Sequence, residues 1–459
     1  MSDTATPPGP ARVLGFTDAT CVVLGGIIGV GIFFNPTNVA RLVDSGPLLL
    51  AAWALAGAIA LCGALVFAEL GGYSNAVGAQ YEIIRDSYGP LAGFLYVVCV
   101  TTGIQAGAVA VIATVCATNI AVAVGAAPPT GPALLVFATV LTVVITAANI
   151  VGVRWGTNIQ NFTVYAKVLA LLAVGALACF TGSQPIAAGP ASTPTSPVAG
   201  VLAALVPAFF AYGGWQQALW MAGEVKEPGR TVPRAIVVGV VIVIAVYLLA
   251  NWSYLRLVGF EHMRATKALA ADAAEAGLGT IGRRLVAGAV GISAFGVLNA
   301  QLLAGPRLIS ALARDGRFFR PFAGLNTRTG TPVAAIALLG AIALGLLWAA
   351  GKDGSDRLVS GVVFVDGIFF ALTGAALFVL RFKKPDAPRP FRVPLYPVVP
   401  ALFVLGELGV LTGSFLDRDN VYAPLIGLGW VVGGTIVYLA VFRRPDRATA
   451  RTGSNADPS

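Results

Sequence analysis

Two glycine-rich stretches interrupt long apolar runs of the sequence. The first, from Gly25 to Phe33, carries four glycines within seven residues, and the second, from Phe209 to Trp215, carries two adjacent glycines. Each glycine weakens a helix by about 1 kcal/mol relative to alanine. Unwound backbone inside a membrane must bury its N–H and C=O groups in protein or turn them toward water or a ligand. The two stretches together predict two broken helices that bind a solute, although either one alone could also serve close helix packing.

The chemistry of two such breaks suits a molecule that carries both charges. The helix that resumes near Ile32 would present N–H groups and a positive dipole end to an anion. The helix ends near Ile28 and Phe210 would present carbonyl oxygens to a cation. A free α-amino acid joins a carboxylate to an ammonium over a short, fixed distance, so the pattern favours this class of zwitterion.

Ionisable residues inside apolar runs are the other candidates for chemistry. Lys167 lies about 8 residues into its run, roughly 12 Å from the cytosolic end, and a charge at that depth indicates function unless the side chain snorkels back to the interface. Asp366 is a candidate for the central cavity. Glu69 and Glu224 lie near cytosolic ends, where we expect either ion pairing in an internal gate or a direct role, and Glu407 is expected to be structural.

The whole chain is too apolar for a soluble protein. Its 459 residues are 57% hydrophobic and 11% charged, whereas soluble domains carry roughly 25% charged residues. This composition predicts a polytopic membrane protein and excludes a nucleic-acid-binding protein as a first interpretation. The spans contain no plausible nucleophile–base pair or metal-binding cluster, and the five cysteines lie in apolar runs, so we expect neither an enzyme nor a metal or other cofactor.

Twelve apolar segments are long enough to cross the membrane as helices. With residues 1–15 placed in the cytosol, Lys and Arg in cytosolic segments outnumber those in external segments by about two to one, so both termini are predicted to be cytosolic. The N-terminus lacks the pattern of a signal peptide. The predicted segments are 16–43, 47–74, 89–124, 131–150, 159–182, 198–222, 234–258, 281–312, 332–350, 358–380, 398–416 and 422–442.

The two predicted breaks lie in the first and sixth spans, and the odd separation predicts inverted repeats. A second copy of a five-span unit must enter the membrane with the opposite orientation, which is typical of secondary transporters with binding sites at broken helices. We therefore predict a first repeat over 16–182, an inverted second repeat over 198–380, two further helices over 398–442 and a cytosolic tail over 443–459.

Several motifs, in this order and spacing, resemble the amino acid–polyamine–organocation superfamily, and within it the L-type amino acid transporters and their bacterial relatives. The resemblance covers residues 15–443. The motifs are Ile28–Phe33, Phe67–Gly71, Gly78–Tyr81, Phe210–Trp215, Glu224–Pro228, Pro233–Ile236, Pro306–Leu308 and Ala313–Gly316.

The resemblance implies an alternating-access transporter with the five-plus-five fold and two extra C-terminal helices. It implies that the Lys167 ammonium takes the place of a sodium ion beside the first break, and that Phe210 acts as a gate over the substrate. The implied contacts are backbone N–H groups for the substrate carboxylate at Gly29, Val30 and Gly31, and carbonyls for its ammonium at Ile27 or Ile28, Phe210, Ala211 and Gly213.

These features predict a sodium-independent transporter of neutral L-amino acids that works by exchange or proton symport. A polyamine or cationic amino acid transporter, which would need acidic groups besides Asp366, and a non-transporting amino acid sensor are the alternatives. Val30 replaces the small hydroxyl residue of several relatives, so substrate affinity or choice could differ. The 125–131 connection has no cysteine for a disulfide-linked heavy chain, which predicts a solitary prokaryotic-type transporter of the plasma membrane.

Overall fold

The computed structural model describes residues 12–73, 78–182, 184–185, 197–266, 268–326, 328–350, 355–416 and 422–442, and the regular elements of this part of the chain are helices. The α-helices are α1 (Phe16–Ile27), α2 (Gly31–Leu42), α3 (Gly46–Tyr73), α4 (Ala79–Tyr88), α5 (Pro90–Val98), α6 (Ala106–Ala123), α7 (Gly131–Val151), α8 (Val153–Thr181), α9 (Pro197–Tyr212), α10 (Gln217–Trp220), α11 (Pro228–Val258), α12 (Phe260–Ala265), α13 (Leu269–Ala304), α14 (Pro306–Arg314), α15 (Val333–Ala350), α16 (Ser355–Lys383), α17 (Val398–Leu416) and α18 (Tyr422–Val437).

Short helices of other types complete these elements. A π-helical segment, Cys99–Gln105, joins α5 to α6, and a second one, Tyr438–Phe442, extends α18. Two 3₁₀ turns occupy Ala222–Glu224 and Arg320–Ala323.

Eight helical segments of the described chain are long and apolar enough to cross a membrane. Shorter apolar helices, among them the broken segments, accompany them. The prediction of an all-helical polytopic membrane protein is thereby confirmed, whereas the number of twelve spans and the division into inverted repeats stay predictions. The eight segments are Gly46–Tyr73, Pro90–Ala123, Gly131–Val151, Val153–Thr181, Pro228–Val258, Leu269–Arg314, Phe364–Lys383 and Pro424–Phe442. Residues 1–11 of the predicted N-terminal tail and the whole 443–459 tail lie outside the described residues.

Both predicted helix breaks are present. The first apolar run divides into α1, which ends at Ile27, and α2, which begins at Gly31. The sixth run divides into α9, which ends at Tyr212, and α10, which begins at Gln217. The glycines at these positions explain why the helices end there, because each lowers the helical preference of a segment that must also satisfy its backbone polar groups.

The broken helices lie inside the bundle, and other helices face outward. α1 packs against α8, α11 and α13, while α9 packs against α2 and α3. Large apolar side chains on the outer helices are exposed, including Val136 on α7, Phe180 on α8 and Leu405 on α17. Exposed apolar side chains on so many helices are what a lipid-facing surface requires, so the bundle holds the two breaks away from lipid.

Candidate functional site

The backbones of the two breaks touch each other at a pair of glycines. Gly214 has a φ of +127°, a conformation that favours glycine, and a Cβ at this position would overlap the carbonyl group of Gly26. A Cβ on Gly26 would in turn lie 2.6 Å from the carbonyl oxygen of Gly214. Because any side chain would separate the two backbones, these glycines make the contact between the breaks possible.

A cavity of ≈ 190 Å³ lies beside this contact. It has room for a small solute, since a single water needs only about 10–15 Å³ of such volume. Most of the predicted substrate residues line it, namely Ile27, Gly29, Val30, Gly31, Ala211, Gly213 and Asp366. Ile28 is fully buried and is not among the lining residues, and the side chain of Phe210, the predicted gate, lies outside the described part of the structure.

The start of α2 supplies the N–H groups predicted for an anion. Gly31 and Ile32 occupy the first positions of this helix, where N–H groups have no acceptor within their own helix. A Cβ on Gly31 would lie 3.3 Å from the side-chain nitrogen Nδ2 of Asn35 and 3.7 Å from the Cβ of Ala211. Since Gly31 lies between the cavity and α9, a large side chain there would occupy the space at the helix start.

Lys167 is fully buried and points at the first break. Its Nζ donates to the carbonyl oxygen of Gly25, at 3.2 Å, and to that of Ile28. These are carbonyls at the end of α1 that have no N–H partner further along the helix. The side chain therefore does not snorkel to the membrane surface, and its ammonium bridges the unwound backbone.

Tyr247 on α11 connects the two breaks, a role that could not be predicted from its place in the sequence. Its hydroxyl lies 3.0 Å from the carbonyl oxygen of Ile27 and 3.2 Å from that of Ala211. The single hydroxyl proton is therefore shared between one carbonyl on each broken helix. Ser293 on α13 donates to the Gly29 carbonyl at 3.3 Å. Nothing in the spacing of a tyrosine or serine within a uniformly apolar run indicates that its hydroxyl binds backbone groups far away in the sequence.

Glu407 also lines the cavity, which corrects our expectation of a purely structural residue. The expectation rested on its place in the eleventh apolar run, outside the predicted repeats. In the structure α17 packs against α16 and α3, and this packing brings the Glu407 carboxylate to the same cavity as Asp366. The cavity therefore has two acidic groups.

Glu69 and Glu224, the other predicted gate residues, are buried carboxylates that form ion pairs outside the cavity lining. The Glu224 carboxylate accepts from Arg307 at 2.8 and 3.2 Å, and both side chains are at most 3% exposed. Glu69 accepts from Arg381 at 2.6 and 2.9 Å and from the backbone N–H of Val393 at 2.7 Å. Both carboxylates are therefore held in ion pairs, and their part in an internal gate stays a prediction.

A third polar cluster links the end of α3 and α4 to the segment after α16, and its ionisable groups Asp86 and Lys384 lie outside the spans. Lys384 donates to Asp86 at 3.0 Å and also to Tyr73, whose hydroxyl donates to Asp86 at 3.0 Å. Partial burial alone would raise the pKa of Asp86, but the hydrogen bonds from Lys384 and Tyr73 lower it below its ordinary value. The cluster therefore favours the ionised carboxylate.

Two helix breaks that meet beside a cavity, inside a bundle of apolar helices, are the features of a secondary transporter. The chain belongs to the amino acid permease family, whose model, described as "Amino acid permease", matches residues 14–439. This confirms the family inferred from the sequence motifs. The family consists of transporters, which agrees with the expectation that the chain is not an enzyme.

Relatives from animals and bacteria align over most of the chain. The large neutral amino acids transporter small subunit 2 of Mus musculus is 32% identical over 438 residues, which cover 93% of this chain and 80% of the relative. The cystine/glutamate transporter of Homo sapiens is 30% identical, with 93% and 85% covered. The serine/threonine exchanger SteT of Bacillus subtilis (strain 168) is 28% identical over 443 residues, with 95% and 98% covered.

Proposed function

We propose that the protein transports neutral L-amino acids across the plasma membrane, without sodium, by exchanging an internal for an external amino acid. The observation that carries this proposal is the cavity between the two breaks, which places the N–H groups at the start of α2 close to carbonyls of α1 and α9. A zwitterion fits this arrangement because it needs donors and acceptors a short distance apart. The names of the similar proteins, which include an exchanger, support the same proposal.

In the proposed pose the substrate carboxylate meets the backbone N–H groups of Gly29, Val30 and Gly31. The ammonium meets the second lone pairs of the Ile27 and Ala211 carbonyls, which already accept from Tyr247. Gly213 lines the same space. This pose leaves the substrate side chain directed at the remaining lining, which includes Asp366.

Lys167 replaces a coupling ion in this proposal. Its ammonium holds the carbonyls of Gly25 and Ile28, and carbonyl oxygens at helix breaks are the groups that coordinate sodium in transporters of this architecture. A lysine that permanently occupies this position would make sodium unnecessary. Without an ion gradient to consume, exchange is the mode we favour, and proton symport is the alternative.

Alternating access would come from movement of the 16–182 and 198–380 repeats relative to each other. The Glu224–Arg307 and Glu69–Arg381 pairs tie different helices together and would form the internal gate. We further propose that both termini are cytosolic, that the membrane is a prokaryotic inner membrane and that no disulfide-linked heavy chain is needed.

Radiolabelled uptake into proteoliposomes tests the proposal. Uptake should saturate, should require internal amino acid and should not respond to a sodium gradient; a requirement for a pH gradient instead would indicate proton symport. Gly31→Leu should abolish uptake because its side chain fills the carboxylate position, whereas Gly345→Leu, at an exposed glycine with no neighbour within 4 Å, should not. Absence of saturable amino acid uptake by folded protein would overturn the proposal, and amino acid binding without flux would indicate a sensor.

A second candidate, transport of cationic amino acids or polyamines, gains one observation from the structure. That function would need acidic groups in the cavity besides Asp366, and Glu407 is such a group. Neutral amino acids remain the first proposal because the backbone arrangement suits a zwitterion. Inclusion of lysine and putrescine in the uptake panel separates the two candidates.

A further inference from the structure

Part of the cavity lining consists of buried hydrogen-bond acceptors that have no donor. Gln105, at the end of the π-helical segment, and Glu407, on α17, are 2% and 1% exposed, and the Oε1 atom of each has no hydrogen-bond partner among the described residues. The Oε1 atoms of Gln216 and Gln217 are also unpartnered and belong to residues of the same lining. Buried polar groups are normally paired, so this surplus of acceptors points to a ligand that brings donors.

The same part of the lining holds two carboxyl groups that have no cationic partner among the described residues. A Cβ built on Gly367 would lie 3.9 Å from Oε2 of Glu407, which places the Glu407 carboxylate against α16 one residue from Asp366. Neither carboxylate takes part in the ion pairs found in the described part of the chain. Two carboxylates in a largely apolar cavity are costly without a donor or a cation between them.

We propose that Asp366, Glu407 and Gln105 form a subsite for the side chain of the substrate, and that this subsite selects amino acids whose side chains donate hydrogen bonds. Hydroxyl, carboxamide and ammonium side chains share this chemistry, whereas aliphatic and aromatic hydrocarbon side chains lack it. The inference rests on the proposed function, because it takes the substrate backbone to be held at the two breaks. Glu407 is the specificity-determining residue, since it reaches the cavity from α17 and has a free acceptor there.

The expected selectivity has an energetic reason: a buried acceptor that loses its donor costs more free energy than the same hydrogen bond contributes when it forms. A site built to bond a donor rejects an isostere without it, because the acceptor is then left dry and unpaired. A purely apolar pocket discriminates far less against an added hydroxyl. The choice between isosteric substrates therefore reports whether the acceptors of this subsite face the substrate.

The test uses competition against labelled alanine in proteoliposomes with the full-length protein. Threonine is compared with valine, which matches it in size, and lysine with norleucine, which keeps its four-carbon chain but lacks the terminal ammonium. We expect the apolar member of at least one pair to compete at least about tenfold more weakly. The threonine pair reports selection of a neutral hydroxyl and the lysine pair reports selection of an ammonium.

Variants then assign the selection to Glu407. Glu407→Leu should move the affected ratio at least about tenfold toward one, with both members of each pair measured in the same preparation of the variant. Glu407→Gln keeps an acceptor oxygen, so it should retain selection of threonine over valine and lose selection of lysine over norleucine. Gly409→Ala, on the same helix with no neighbour within 4 Å, serves as the matched control and should leave both ratios unchanged.

Two outcomes overturn the inference. The wild-type protein could transport amino acids without discriminating within either pair, or Glu407→Leu could leave the ratios unchanged, for example by weakening both members of a pair equally, as a structural role would. If Glu407→Leu does not fold, Glu407→Met, which also lacks the carboxyl group, provides the same comparison. Failure of the wild-type protein to transport any amino acid would instead remove the proposed function, and that result is distinct from uptake without selection.

Discussion

Replacement of Lys167 should loosen the first helix break by a predictable amount. Its ammonium donates to the carbonyls of Gly25 and Ile28 from a fully buried position. Hydrogen bonds to charged groups contribute about 1.5–3 kcal/mol each, but removal of the ammonium also recovers several kcal/mol of desolvation cost. For Lys167→Met we expect a net loss of about 1–3 kcal/mol in the free energy that holds the break together, equivalent to about 5- to 150-fold in the corresponding equilibrium.

Exchange rate and thermal unfolding together measure this effect. Lys167→Met should slow amino acid exchange by about tenfold or more and lower the unfolding temperature. Leu169→Met introduces the same residue two positions along α8, on a side chain that is 64% exposed, and should behave as the wild type. Lys167→Ala allows a second test, because it leaves space for a cation where the ammonium lies in the wild type. Added sodium should therefore stimulate amino acid exchange by Lys167→Ala and should not affect exchange by the wild type.

Two results would refute this reasoning separately. Exchange by Lys167→Met at the wild-type rate would show that the ammonium does not brace the break during transport. Slow exchange by Lys167→Ala at every sodium concentration would leave the bracing role intact but would refute the idea that the ammonium occupies a cation site.

Three further predictions concern the contacts around the site. Gly214→Ala should reduce folded protein and transport severely, because its Cβ overlaps the Gly26 carbonyl group, while Gly345→Ala should be tolerated; size-exclusion profiles and uptake check both. Glu224→Gln should destabilise the protein by about 3–5 kcal/mol, since it leaves the buried Arg307 charge unpaired, and addition of Arg307→Met should restore part of the unfolding temperature. Asp86 should contribute its full stabilisation above the pKa that it has in the unfolded chain, about 3.9. This contribution should be lost as the pH falls through the pKa of Asp86 in the folded protein, which is lower. Asp86→Asn should remove that step from the pH dependence of thermal unfolding.

The sequence was informative where a residue type conflicts with its surroundings. The glycines at 25–31 and 213–214 stand in runs that would otherwise continue as helices, so the breaks could be predicted from local propensity alone. Lys167 could be singled out because a charge deep in an apolar run is costly. The same reasoning selected Asp366, which lines the cavity.

Residues whose importance depends on helix packing could not be found in this way. Tyr247 is unremarkable in an apolar run, and its hydroxyl matters only because α11 packs beside α1. The position of Glu407 in the chain, remote from the predicted repeats, indicates a structural residue. In the structure, however, α17 packs on α16 and brings Glu407 to the cavity. In uniformly apolar helices the hydrophobic pattern does not indicate which face turns inward, so such contacts need the three-dimensional arrangement.

The hydrogen bonds at the two breaks indicate which part of a zwitterion should contribute most to binding. The carbonyl oxygens there already have protein donors, with Lys167 on Ile28, Tyr247 on Ile27 and Ala211, and Ser293 on Gly29. An incoming ammonium therefore adds a second hydrogen bond to satisfied acceptors. The N–H groups at the start of α2 have no acceptor in their own helix, so a carboxylate satisfies groups that would otherwise be unpaired. Since an unpaired group costs more than a second bond contributes, the carboxylate should anchor the substrate, the ammonium should orient it, and the side chain should decide which amino acid is chosen.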